Sequence, residues 1–156
     1  MDVQKKNIYK SVRMKTIALC LVFAGAFQVA SAQKQGVQGQ LFWVTGNQLP
    51  SSDRKHVERQ GTAKEIVVYE VATPSDVVLE DGFIKKVYTK FVARTFSKTN
   101  GSFKIKLDPG LYSVFVKEPN GLYANIFNSE NQISPVKVEP KKYSWITISI
   151  NYEAAY

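Results

Sequence analysis

The stretch FSKTNGSFKIKLDPGLYSVFVK, running from Phe96 to Lys117, decides the fold. In its middle, Phe103, Ile105 and Leu107 alternate with Lys104 and Lys106. That period of two sends the apolar set into a core and the lysines to water, as a half-buried strand requires. Two turns flank the strand. In TNGS, Asn100 and Gly101 stand where a hairpin needs positive φ, which these two residue types tolerate best. In DPGL, the ring of Pro109 fixes φ at the second turn position and Gly110 supplies the positive φ of a type II turn at the third. The stretch therefore reads as two tight reversals that register three strands, and it contains no catalytic side chain.

The same alternation continues on both sides. GVQGQLFWV (Gly36 to Val44) places Val37, Leu41 and Trp43 on one face and Gln38 and Gln40 on the other. EIVVYEV (Glu65 to Val71) is apolar enough for a central strand. KKVYTKFVARTF (Lys85 to Phe96) is long enough to need a bend or bulge. After LYSVFVK come ISPVKVE (Ile133 to Glu139), where Pro135 marks an edge or a bulge, and YSWITISINY (Tyr143 to Tyr152). Seven short strands with no helical periodicity predict an all-β fold of two stacked sheets. Two connections are long: Thr45 to Lys64, polar and rich in turn formers, and Ala72 to Phe83.

The N-terminal 32 residues read as an export signal. A basic start with Lys5, Lys6, Lys10, Arg13 and Lys15 precedes the apolar run TIALCLVFAGAF and then VASA. Ala30 and Ala32 give the small-x-small cleavage pattern, so the mature chain is expected to begin at Gln33 and to form a single domain over 33–156. The run is shorter than the roughly 20 apolar residues that span a bilayer. Met14, directly before the run, offers a second start. Export places the mature chain in the periplasm, outside the cell or in the envelope.

Composition narrows the chemistry. The single cysteine, Cys20, lies in the signal, so the mature chain has no disulfide, no thiol nucleophile and no thiolate metal site, and Leu19 before it argues against lipidation. Of 21 Lys and Arg, five precede Gln33, and of 13 Asp and Glu, one does, leaving 16 against 12 and a net charge of +4. So mild a bias gives little support to nucleic-acid binding. No phosphate-cradling glycine loop, Gly-x-Ser-x-Gly elbow or acidic calcium loop is present, and no cofactor is implied. Asp81 and Asp108 read as turn residues.

These motifs together resemble the carboxypeptidase regulatory-like domain, a transthyretin-like or prealbumin-like sandwich common in exported bacterial proteins. The G-x-V-x-G strand and G-x-P-L turn of that family appear as Val37, Gly39 and GNQLP (Gly46 to Pro50), and its A-x-V strand as AKEIVVYEV from Ala63. Its T-D-x-x-G-x-F-x-L-x-P-G-x-Y run is matched at Gly101, Phe103, Leu107, Pro109, Gly110 and Tyr112. The resemblance covers Gly36 to Tyr152 and departs at Thr45 to Lys64, where extra residues are inserted. It implies a seven-stranded Greek-key sandwich serving as an accessory or structural module, similar to small stand-alone exported proteins of Bacteroidetes type. Two enzymes of the same general fold do not fit. The hydroxyisourate hydrolase uses several histidines and a C-terminal YRGS where this chain ends YEAAY, and the ring-cleaving dioxygenases bind iron through two tyrosines and two histidines.

His56, beside Asp53 and Glu58, is the one histidine and the one residue around which a catalytic site could be built; a lone loop histidine is more often simply solvated. Two surfaces remain. Lys104 and Lys106, if the turn at Thr99 to Gly101 is a three-residue loop, share an outer face with Arg94 and also Lys90. A solvated face that resists edge aggregation would look the same. On the last strand, Ile146, Ile148, Ile150 and Tyr152 alternate inward and turn Tyr143 and Trp145 outward, as a platform for a protein or a sugar or as the underside of a loop. The expected function is that of a non-enzymatic envelope module binding a protein, with polysaccharide binding and an unrecognised enzyme as alternatives.

Overall fold

The alternation in Ser102–Lys106 is realised as a strand with Phe103 and Ile105 buried and both lysines exposed, and Leu107, directly after it, is buried too. The structure is a computed structural model describing residues 34–47 and 59–155. In chain order the strands are β1 (Gly36–Trp43), β2 (Gly46–Asn47), β3 (Gln60–Gly61), β4 (Glu65–Glu70), β5 (Val77–Glu80), β6 (Phe83–Val87), β7 (Phe91–Phe96), β8 (Ser102–Lys106), β9 (Gly110–Glu118), β10 (Gly121–Tyr123), β11 (Pro135–Val138), β12 (Tyr143–Ile150) and β13 (Ala154–Ala155). The one 3-10 turn among the described residues, Pro74–Asp76, is closed by Asp76, whose carboxylate accepts from the backbone N–H and the hydroxyl of Thr73.

The two stacked sheets expected from the alternation are present. In the four-stranded sheet β1 is central, parallel to β12 on one side and antiparallel to β8 and β3 on the other. The larger sheet runs β5-β6-β10-β9-β4-β7, with β11 also pairing β9. A two-stranded pair, β2 with β13, stands apart. Between the two main sheets Val37, Phe103 and Ile105 meet Ile66, Val68, Val114, Val136 and Val138. Gly39 permits the close approach of β1 and β12, since a Cβ there would lie 1.9 Å from the Ile146 carbonyl oxygen. A second core lies on the other side of the larger sheet, where Val67 and Phe115 pack with Ala72, Ile84 and Ile133. Strands buried on both faces read as continuous apolar runs, which is why VFV in β9 and IVV in β4 do not alternate.

Several expectations need correction. The opening stretch is not a pair of hairpins: β7 and β9 belong to the larger sheet and β8 to the smaller, so each turn carries the chain from one sheet to the other. In the first turn only Gly101 has positive φ, at 85°, and Asn100 does not. Its hydrogen bonds, Gly101 N–H to the Lys98 carbonyl and Lys98 N–H to the Ser102 carbonyl, close a three-residue loop. Gly110 also lacks positive φ. It is small for another reason: the Tyr112 side chain lies against it, with the hydroxyl oxygen 3.0 Å and the ring 3.1 Å from where a Cβ would stand, and the Tyr112 hydroxyl donates to the Asp108 carbonyl at 2.9 Å. This is the tyrosine-corner arrangement of sandwich domains.

The run Lys85 to Phe96 is two strands rather than one bent strand, because β6 pairs with β5 and β10 while β7 pairs with β4 at the opposite end of the sheet. The supposed connection Ala72 to Phe83 holds β5, joined to β6 by Asp81 and Gly82, both at positive φ. The export signal, and most of Thr45 to Lys64 including His56, lie outside the described residues.

A candidate binding face on the four-stranded sheet

Register assembles the face row by row. Tyr143, Gly36 and Lys106 stand in one cross-strand row, Trp145, Gln38 and Lys104 in the next, and Thr147, Gln40 and Ser102 in the third. The inward turn of Ile146, Ile148 and Ile150 forces Trp145 outward, where 63% of it is exposed. Tyr143 is half-buried because Gly36 puts no side chain in its row and the Lys104 ammonium lies 3.8 Å from its ring centroid. A cation over an aromatic face at that distance is attracted by the ring quadrupole. Four of the five residues expected to form a binding surface, Tyr143, Trp145, Lys104 and Lys106, therefore share one face of rigid strands.

Arg94 does not join them. It lies on β7 in the other sheet, its guanidinium 3.4 Å from Glu65, and Lys117 reaches the same carboxylate at 3.1 Å. The Lys117 ammonium first, then Arg94, holds the Glu65 carboxyl below its ordinary range. Lys104 and Lys106 form no ion pair among the described residues, and the outward positions of β1, β8 and β12 carry no carboxylate. The face is thus cationic around an exposed indole. An exposed lysine–carboxylate contact is worth about 0–1 kcal/mol, whereas a truncated aromatic anchor costs about 2 kcal/mol or more. Trp145 would set the affinity of such a face and the lysines the sign of charge it accepts.

A second cluster escaped sequence reasoning. Glu118, with 1% of its side chain exposed, accepts from Lys64 Nζ at 2.9 Å and from the Tyr152 hydroxyl at 3.1 Å. The Lys64 ammonium also lies 5.0 Å from the Trp43 ring centroid, and Tyr152 packs edge-on to Trp43 and Phe83. Burial, then the Glu118 carboxylate, pushes the Tyr152 phenol up to about 12. The signal was available: Tyr112, Val114 and Val116 alternate inward along β9, and Glu118 is next in that series. Near the end of β12, Asn125 donates to the Ser149 carbonyl at 3.0 Å, and the exposed Ile126 and Phe127 follow it in the chain.

Among the described residues no group of three His, Cys, Asp or Glu stands close enough to hold a metal ion. An open groove of about 1130 Å³ beside β11, lined by Leu111, Pro135, Val138 and Pro140 with Lys137 and Glu139, contains no histidine, cysteine or serine among its described lining. Comparison with family models, with curated proteins and with solved structures gives no match for this chain.

Proposed function

We propose that the chain is an exported, non-enzymatic accessory module of the cell envelope that binds a protein partner through the outer face of its four-stranded sheet. The observation that carries this is Trp145: a large indole, 63% exposed, held on a strand whose backbone is fixed by eight registered pairs with β1. Rigid aromatic side chains with few rotatable bonds are what protein interfaces use as anchors. The basic segment, apolar run and VASA of the N-terminus support export. The transthyretin-like, carboxypeptidase regulatory-like assignment is part of the same proposal. It is supported by the Gly101 turn and by the Tyr112 hydroxyl bonded across Pro109 and Gly110.

Polysaccharide binding is the second reading, favoured by Gln38, whose amide stands in the same row as Trp145 as a hydrogen-bonding neighbour for a stacked sugar ring. Capture from envelope extract by immobilised residues 33–156 separates the two. The protein reading expects a defined polypeptide retained by the wild-type domain and lost by Trp145→Ala at unchanged fold. Retention of glycan alone supports the second reading, and equal capture by both forms rejects the face.

A further inference from the structure

Lys104 and Lys106 project from the same face of β8, two residues apart, beside the exposed Trp145 and the Tyr143 ring. Some cations elsewhere are neutralised, while others, such as Lys90, Lys98 and Lys141, form no ion pair among the described residues. Arg94 and Lys117 share Glu65, Lys137 and Lys142 share Glu139, and Lys64 has Glu118. The two lysines of the four-stranded face have no carboxylate beside them at any of the other nine outward positions of β1, β8 and β12. A solvated face that merely resists aggregation needs no exposed indole at its centre. Uncompensated charge of one sign around an apolar anchor is instead complementary to a surface of the opposite sign, and it acts on encounter rate and on the choice of partner.

We infer, resting on the protein-binding reading above, that the partner presents an acidic segment: its carboxylates meet Lys104 and Lys106 while an apolar or aromatic side chain of the same segment packs on Trp145. Binding then weakens as salt rises, since these cations are exposed and screened.

The test uses residues 33–156 carrying Trp43→Phe, so that emission reports Trp145 alone, with three probes: a random copolymer of glutamate and tyrosine, a copolymer of glutamine and tyrosine, and heparin. The expected result is saturable binding of the glutamate copolymer, weakened about tenfold or more when Lys104→Ala and Lys106→Ala are combined, and weakened again by added salt. The glutamine copolymer should bind at least about tenfold more weakly. Equal binding of the two copolymers overturns the acidic segment while leaving a protein-binding face in place. Heparin binding without copolymer binding overturns it in favour of an anionic glycan and takes the protein-binding reading with it. No binding of any probe overturns the inference, while capture from envelope extract judges the face independently.

Discussion

Glu118 and Lys64 are joined at 2.9 Å through one carboxylate oxygen, while the other oxygen of Glu118 is buried without a hydrogen-bond partner among the described residues. A carboxylate placed this way depends on its one cation. Lys64→Ala should therefore destabilise the domain by about 3 kcal/mol, because removing one partner of a buried pair strands the other charge. Replacing both residues at once, Lys64→Met with Glu118→Leu, should cost much less. Chemical denaturation of the two variants checks this, and a single variant as stable as the double one would mean the pair is not coupled.

Tyr152 supplies a pH dependence. Its phenol has a folded pKa of about 12, above its ordinary value of 10.0. A phenol whose folded pKa is raised contributes stability that is complete below its unfolded pKa. That stability is lost as pH climbs through the folded value, since the unfolded chain gives up the proton first. The melting temperature should thus fall between pH 10 and about 12, and Tyr152→Phe should flatten that fall. Melting curves on both proteins across this range decide the matter. An unchanged slope in the variant would place the alkaline transition elsewhere.

The Tyr112 hydroxyl bonds the Asp108 carbonyl across the second crossing between sheets. Tyr112→Phe should cost about 1 kcal/mol, the usual net worth of one hydrogen bond. Gly110→Ala should also destabilise, because its Cβ would meet the Tyr112 hydroxyl and ring at 3.0 to 3.2 Å and push against the very group that bonds Asp108. Thermal melts of the two variants test the corner, and a neutral Tyr112→Phe would show that packing alone holds the turn.

Phe103→Ala should cost about 3 to 5 kcal/mol as a buried aromatic, and Lys104→Ala under about 0.5 kcal/mol as a change on the exposed face. Equal effects in urea denaturation would mean that β8 presents its other side to the core.

The alternation in β1, β8 and β12 made the four-stranded sheet legible, with its core side and its outward residues, because one face of each strand is wet. The larger sheet was harder. Its central strands are buried on both sides, so period two is lost there. Asp81-Gly82 is a strong hairpin signal, yet the flanking VVLE and FIKKV do not alternate cleanly, and β5 passed for a connection. Which sheet a strand joins is set by long-range packing. That is why β8 left β7 and β9, and why Arg94 parted from Lys104. Tyr143 and Trp145 were legible as outward residues; their junction with Lys104 and Lys106 required the parallel register of β1 with β12.

Trp145 remains the most direct handle on the binding face. With Trp43→Phe isolating its emission, acrylamide should quench Trp145 readily in the isolated domain, as its 63% exposure requires, and the partner captured from envelope extract should protect it. A Trp145 already shielded in the isolated domain, or one quenched equally with the partner bound, would contradict the assignment of this face as the binding surface.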